Sequence, residues 1–283
     1  MKLNEIHIRD PFILLDGNEY FLYGSRGNEA RGKCTGLDVY TSDDLNEWSK
    51  PSEVFSKPEN FWADMNFWAP EVHKYNGRFY MLVSFKSENE CRGTQVLVAD
   101  NPKGPFYVHS EKPVTPSGWE CLDGTLYIEK NGTPFMVFCH EWVQVNDGEM
   151  CAVQLSEDLS VAVGEPFLLF KASEPGWAIK GSRKFVADGP FMHRLETGEL
   201  LLIWSGFSAN GYAAAIAYSD NGEISGKWKH KDELLFSEDG GHGMVFTAKN
   251  RELMFVLHAP NFSPAERPIF KKLYEKGGTL VVV

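Results

Sequence analysis

The sequence predicts an all-β fold, a five-bladed β-propeller, and three observations carry that prediction. Five segments spread along the 283 residues repeat one pattern. Each joins a short strand headed by a polar residue to a strongly apolar strand through a turn containing Gly or Asn, the hairpin signal of residues that accept positive φ. The composition is also rich in strand formers and turn formers, with Phe 20, Tyr 10, Trp 8, Gly 26 and Pro 15. Aromatic residues favour strands and Gly and Pro punctuate them, which disfavours an all-helical chain.

The first unit reads Arg9-Asp10-Pro11-Phe12-Ile13, then Asp16-Gly17-Asn18, then Tyr20 to Tyr23. In the second, Pro70-Glu71-Val72-His73 leads through Asn76-Gly77 to Phe79 to Val83. The third runs from Leu122-Asp123-Gly124-Thr125-Leu126 through Asn131-Gly132 to Phe135 to Phe138. Ala187-Asp188-Gly189-Pro190-Phe191, Thr197-Gly198 and Leu200 to Trp204 make the fourth, and Gly241-His242-Gly243-Met244-Val245, Lys249-Asn250 and Leu253 to Leu257 the fifth. Aligned on positions 10, 71, 123, 188 and 242, the units repeat loosely at about 57 residues, slightly more than the roughly 50 of common propeller repeats.

Each second strand is apolar on nearly every residue and should be covered on both faces. A third strand follows in at least four units, at Leu37 to Thr41, Gln95 to Ala99, Ala152 to Leu155 and Ala214 to Tyr218, and then a polar turn and an outer strand. Four strands per unit describe a propeller blade; a β-sandwich is the alternative. The C-terminal Leu280 to Val283 and the N-terminal Met1 to Ile8 are both short and could share one blade, closing the ring. With no linker or low-complexity stretch, residues 1–283 read as one catalytic domain.

Lys plus Arg is 28 and Asp plus Glu 39, a formal charge of −11, which is the wrong sign for nucleic acid or an anionic membrane surface. No apolar run approaches the roughly 20 residues of a spanning helix, and the first ten residues carry charges where a signal peptide is apolar. The expected address is cytoplasmic. Cys34, Cys91, Cys121, Cys139 and Cys151 are odd in number and irregularly spaced, which fits reduced thiols better than disulfides or zinc.

In a propeller the innermost strands line the central channel, so one repeat position forms a ring at its mouth. Here that ring would be Asp10, Glu71, Asp123, Asp188 and His242. Converging carboxylates raise one another's pKa and cost stability, and function is the usual reason for such a cluster. Taken singly, Asp10 and Asp188 beside Pro or Gly-Pro could serve only a turn, and His242 could be a satisfied channel histidine. Carboxylates with separate roles suit glycoside hydrolysis, where one activates water and another protonates the leaving oxygen. Aromatic faces nearby suit sugars, whose C–H surfaces stack on rings.

These five motifs, with Phe67-Trp68-Ala69-Pro70-Glu71-Val72 opening the second unit, resemble glycoside hydrolase family 43 over essentially the whole chain. The resemblance implies a five-bladed propeller that hydrolyses arabinose- and xylose-containing glycans with inversion. It implies Asp10 as general base, Asp123 as the residue that tunes and orients the acid, and Asp188 as general acid. The family usually has Glu in a Glu-Gly-Pro context there, so Asp188 is one methylene short. That retracts the carboxyl by about 1.5 Å, enough to cost roughly a hundredfold if nothing compensates. Either the fourth blade sits closer to the substrate, or Asp188 is a poor acid, or Glu71 or Glu141 donates the proton; the first is favoured. His242 resembles the family's fifth-blade histidine, which in some members helps hold a hydrated calcium ion; no other cofactor is implied.

Trp68 is the first choice of sugar platform, with Trp119 and Trp142 behind it, and Glu71, Glu141 and His242 complete the substrate contacts. The expected activity is an exo-acting α-L-arabinofuranosidase working on oligosaccharides. The alternatives are a β-xylosidase or galactofuranosidase of the same fold, or a catalytically weak propeller that only binds glycans.

Overall fold

The computed structural model describes residues 1–27, 32–179 and 181–283. Five four-stranded antiparallel sheets follow one another along the chain, each ordered from its first strand at the centre to its fourth at the rim. Blade one holds β1 (Ile8–Asp16), β2 (Glu19–Arg26), β3 (Gly36–Ser42) and β4 (Ser52–Ser56). Blade two holds β5 (Met65–Tyr75), β6 (Arg78–Lys86), β7 (Gly93–Ala99) and β8 (Tyr107–Val108). In blade three, β9 (Cys121–Ile128), β10 (Pro134–His140), β11 (Glu149–Leu155) and β12 (Ala162–Lys171) are joined by the short helix α1 (Trp142–Val145) between β10 and β11. Blade four is β13 (Asp188–Arg194), β14 (Leu200–Ser208), β15 (Gly211–Ser219) and β16 (Trp228–His230). Blade five is β17 (Gly241–Thr247), β18 (Leu253–Ala259), β19 (Arg267–Glu275) and β20 (Leu280–Val282).

The expected hairpins and third strands are present. Asn76 and Gly77 take φ of 46° and 80°, the paired positive values of a tight two-residue turn. The second strands are buried along almost their whole length because both faces meet a neighbouring blade. Apolar clusters fill the seams: Phe55, Phe67 and Phe85 between blades one and two, Leu82 and Phe138 between two and three, Phe170 and Trp204 between three and four, and Ile203 and Phe255 between four and five.

Ring closure differs from the expectation. The C-terminal strand β20 stays in blade five, and the N-terminal residues join no sheet with it; Leu3–Glu5 form a 3-10 turn packed against β19. Side chains close the seam instead, with Phe12, Phe246, Met244 and Val256 in one apolar cluster. Arg267 Nε adds a bond to the Asn4 carbonyl oxygen at 3.0 Å. Four of the five cysteines are buried, and Cys91 is partly exposed. Among the described residues no helix is long and apolar enough to cross a membrane.

Candidate active site

Each innermost strand bulges near its start, β5 twice, and at the shared bulge a residue takes positive φ: Asp10 at 52°, Ala69 at 47°, Asp123 at 58°, Gly189 at 52° and His242 at 47°. For residues other than glycine this conformation costs about 1–2 kcal/mol. Such strain persists where the surroundings over-determine it, as at a binding site. The N–H groups that the bulges free from the ladder are taken up by the neighbouring blade. Ala69 N donates to Ser25 Oγ at 2.8 Å, Asp123 N to Ser84 Oγ at 2.9 Å and His242 N to Ser205 Oγ at 2.8 Å. Across the closing seam Asp10 N donates to His258 Nδ1 at 3.2 Å.

Blade three breaks this pattern, because Cys139 stands opposite Leu122 where Ser25 and Ser205 stand opposite Arg9 and Asp188. The N–H of Gly189 goes instead to Asp123 Oδ2 at 3.0 Å. Gly189 is also required by space, since a Cβ there would sit 2.7 Å from the His242 ring. His242 Nδ1 in turn lies 3.2 Å from Asp10 Oδ1 and 3.6 Å from Asp123 Oδ2.

This geometry corrects the ring inferred from sequence at two places. In blade two the equivalent of Asp10 is Ala69, and Glu71 lies two residues deeper, opposite Leu82, with Oε2 3.0 Å from His73 Nε2. Register shifts on both sides of Trp68 make the difference, and Glu71 is not among the residues lining the mouth pocket. In blade four Gly189 holds the ring position, so Asp188 stands one residue ahead of it, level with Arg9, Trp68 and Leu122.

Asp10, Asp123, Asp188 and His242 nonetheless line one pocket of about 810 Å³ at the channel mouth, together with Trp68, Glu141 and Trp142. Trp119 is elsewhere, stacked on His140 with ring centroids 4.2 Å apart. Trp68 carries the Arg92 guanidinium 4.5 Å from its ring centroid, and Arg92 also pairs with Glu141 and donates to Asn66 Oδ1 at 3.1 Å. Glu141 is thus engaged by a cation. Sequence reasoning missed Arg9, Ser25, Tyr212, Asn261 and Glu266, which line the same pocket. Arg9 was visible one residue before Asp10; the others sit on second strands, third strands and connecting segments whose side chains carry no repeated signal.

The three aspartates are driven apart electrostatically. Burial alone would raise Asp10, but His242, His258, Arg9 and the Ser25 hydroxyl, 2.6 Å from Oδ2, outweigh it and hold the carboxyl below its ordinary value. Burial and the Asp10 charge hold Asp123 well above the usual range. Asp188 is pushed up to about 7 by burial and by Asp123, against the opposing influence of His242 and of the Tyr212 hydroxyl, which donates to Oδ2 at 3.0 Å. The pocket therefore combines one carboxyl held ionised, Asp10, with two that hold their protons more tightly, Asp123 and Asp188, a division of the kind glycosidic cleavage uses.

The hydrated calcium ion that the resemblance implies for some members at His242 finds no support in the side chains around it. Among the described residues no three His, Cys, Asp or Glu side chains converge into a cation site, and Nδ1 of His242 faces the two carboxylates.

The sequence pattern of glycosyl hydrolases family 43 matches residues 4–275. The chain belongs to that family. Family-43 enzymes cleave O-glycosidic bonds with inversion and need no cofactor for catalysis. The chain is also similar to a solved structure of an endo-arabinase from Bacteroides thetaiotaomicron VPI-5482, which is 41% identical, covers 99% of this chain and 98% of its own, and superposes with a TM-score of 0.91. Extracellular endo-α-(1→5)-L-arabinanase 1 of Bacillus subtilis (strain 168) is 25% identical over 152 residues, 49% of this chain and 45% of that protein. A xylosidase/arabinosidase of Bacteroides ovatus is 30% identical over 101 residues, 33% of this chain and 31% of that protein. The chain thus spans less than half the length of each of these curated relatives.

Proposed function

We propose that residues 1–283 act as one catalytic unit that hydrolyses α-L-arabinofuranosyl linkages in arabinan-derived chains, with inversion. Asp10 activates the water, Asp188 protonates the leaving oxygen, and Asp123 orients the blade that carries the acid through the Gly189 N–H. The observation that carries this reading is the split among three carboxyls in one pocket, with Asp10 held down and Asp188 raised to about 7. An acid whose pKa lies near the working pH combines the correct protonation state with an adequate drive to give the proton away. Tyr212 holds Asp188 Oδ2, which leaves Oδ1 for the leaving oxygen of the substrate.

The arabinan assignment draws support from the two relatives whose names specify endo action on arabinan. A pocket of about 810 Å³ has room for more than one sugar unit, as any enzyme that cleaves an oligosaccharide needs. On the strength of the two relatives, internal cleavage is preferred over the exo action expected from sequence. Incubation with linear arabinan and with α-L-arabino-oligosaccharides, analysed by product length, tests this. Internal cleavage gives a spread of oligosaccharides from the first minutes. Arabinose or one fixed oligomer as the sole early product would establish exo action, and turnover of xylo- but not arabino-oligosaccharides would overturn the arabinan assignment.

A further inference from the structure

Trp68, Trp142, Phe207 and Tyr212 bring aromatic rings to the pocket, and the protein covers them unequally. Trp68 carries the Arg92 guanidinium, and Trp142 has the Lys184 ammonium 4.8 Å from its ring centroid. Tyr212 is buried, stacked on His258 with the ring planes 19° apart and bonded to Asp188. Phe207 is 42% exposed, and among the described residues no cation stands over its ring. A phenyl ring left in water forfeits hydrophobic stabilisation roughly in proportion to the area left out. A lone exposed ring on a surface needs no explanation, but one that walls a substrate pocket is placed for what enters it.

The register of blade four fixes where this ring stands. Strand β13 starts at the mouth with Asp188 and runs away from it, and β14 returns with Ser205 opposite Asp188. Phe207 is therefore two residues, roughly 7 Å, beyond the acid on the way out of the channel. Strand alternation puts it on the same face as Ser205, whose hydroxyl meets the His242 N–H at 2.8 Å. Phe207 pairs with Tyr212 on β15, with ring centroids 5.3 Å apart, and Tyr212 in turn holds Oδ2 of Asp188 at 3.0 Å. Phe207 is thus one ring removed from the acid, on its outer side. Asp10 is held from elsewhere, by Ser25 of blade one and His258 of blade five.

We infer that Phe207 is the platform for the departing sugar, stacking on the C–H face of the unit whose oxygen Asp188 protonates. The acid must stand beside the glycosidic oxygen, and that oxygen leaves with the departing sugar, so the open surface on the acid's outer side meets that unit. A phenyl face offers neither a strong donor nor a strong acceptor, and it recognises the C–H surface of a neutral ring rather than its hydroxyls. Such a contact orients the leaving unit without tying it down after the bond is cut. Ile179, itself exposed, shares a small cavity with Phe207 and continues the apolar rim. This assignment rests on the oligosaccharide reading of the pocket and adds to it a residue that sets the preference for the leaving group.

The test compares two leaving groups. Phe207→Ala is assayed on α-L-arabinotriose, whose departing group is a sugar, and on α-L-arabinofuranosyl fluoride, whose departing fluoride has no face to stack. On the triose kcat/KM should fall roughly tenfold, the scale of one aromatic contact, and on the fluoride by a far smaller factor. Phe207→Trp keeps a face and should retain most of the rate on the triose. Phe207→Leu keeps apolar bulk without a face and should show the same split as Phe207→Ala, which keeps the test decisive if the alanine variant folds poorly. Equal losses on the two substrates would mean that the ring only steadies Tyr212 and Asp188, and no loss on either would mean that no sugar reaches it; each result overturns the platform. The wild type judges the arabinan reading separately. If it cleaves xylotriose and not arabinotriose, that reading falls, and the same comparison between xylotriose and xylosyl fluoride decides the platform. A wild type that cleaves neither series overturns both.

Discussion

The Tyr212 hydroxyl donates to Asp188 Oδ2 across 3.0 Å, binding the fourth blade's carboxyl to the third strand of the same blade. Burial holds the tyrosine itself well above its ordinary pKa, so it remains a donor throughout the working range. Because a donor stabilises the ionised acid, the bond lowers the pKa of Asp188 from where burial and Asp123 would set it. Tyr212→Phe should therefore move the alkaline limb of the kcat profile, expected near pH 7, upward by about one unit. It should also lower kcat on oligosaccharides several-fold through loss of orientation. A limb that moves downward would show that Asp188 is not the group titrating there.

Gly189 is held by three requirements at once: φ of 52°, the His242 ring 2.7 Å from where its Cβ would be, and the bond from its N–H to Asp123 Oδ2 at 3.0 Å. Gly189→Ala should cost about 2–4 kcal/mol, the sum of left-handed backbone strain and overpacking. Thermal or urea unfolding measures it. Activity should fall further than stability at permissive temperature, because the displaced His242 contacts both Asp10 and Asp123.

Asp188 also sets a direction for stability against pH. Its folded value of about 7 lies above the ordinary 3.8, so between those values the folded chain holds a proton that the unfolded chain has released. The unfolded state binds fewer protons in that window, and stability contributed by this group falls as pH rises through it. Asp188→Asn removes the dependence. Relative to wild type, the variant's Tm should rise between pH 5 and pH 8, a trend that differential scanning at several pH values will read. A difference in Tm independent of pH would mean that Asp188 is ionised throughout.

The architecture was legible because four of the five blades repeat their punctuation: Gly17, Asn76-Gly77, Gly132 and Gly198 all take the positive φ that their hairpins need. Asp10 and Asp123 were legible for the same reason, as polar residues at a repeated place. Glu71 was misread because the chain was aligned on charge, whereas in three blades a proline directly after the bulge marks it. Pro11, Pro70 and Pro190 come directly after Asp10, Ala69 and Gly189, and that proline register would have given the true ring. Nothing in the sequence announces Tyr212, because its place comes from a connection between strands, where spacing along the chain carries no information. The termini misled for a physical reason too: packing of Tyr20 against Phe246 of blade five closes the ring without a shared strand.

The proton donated by Asp188 is the step on which the account turns, and leaving-group dependence addresses it directly. Asp188→Asn is assayed on an arabino-oligosaccharide, whose departing sugar needs protonation, and on an aryl α-L-arabinofuranoside with an activated phenol, which needs little. The account predicts a loss of kcat/KM of a thousandfold or more on the first, within the usual range for general acid catalysis of roughly 10²–10⁴, and a far smaller loss on the second. Equal losses on the two substrates would contradict it.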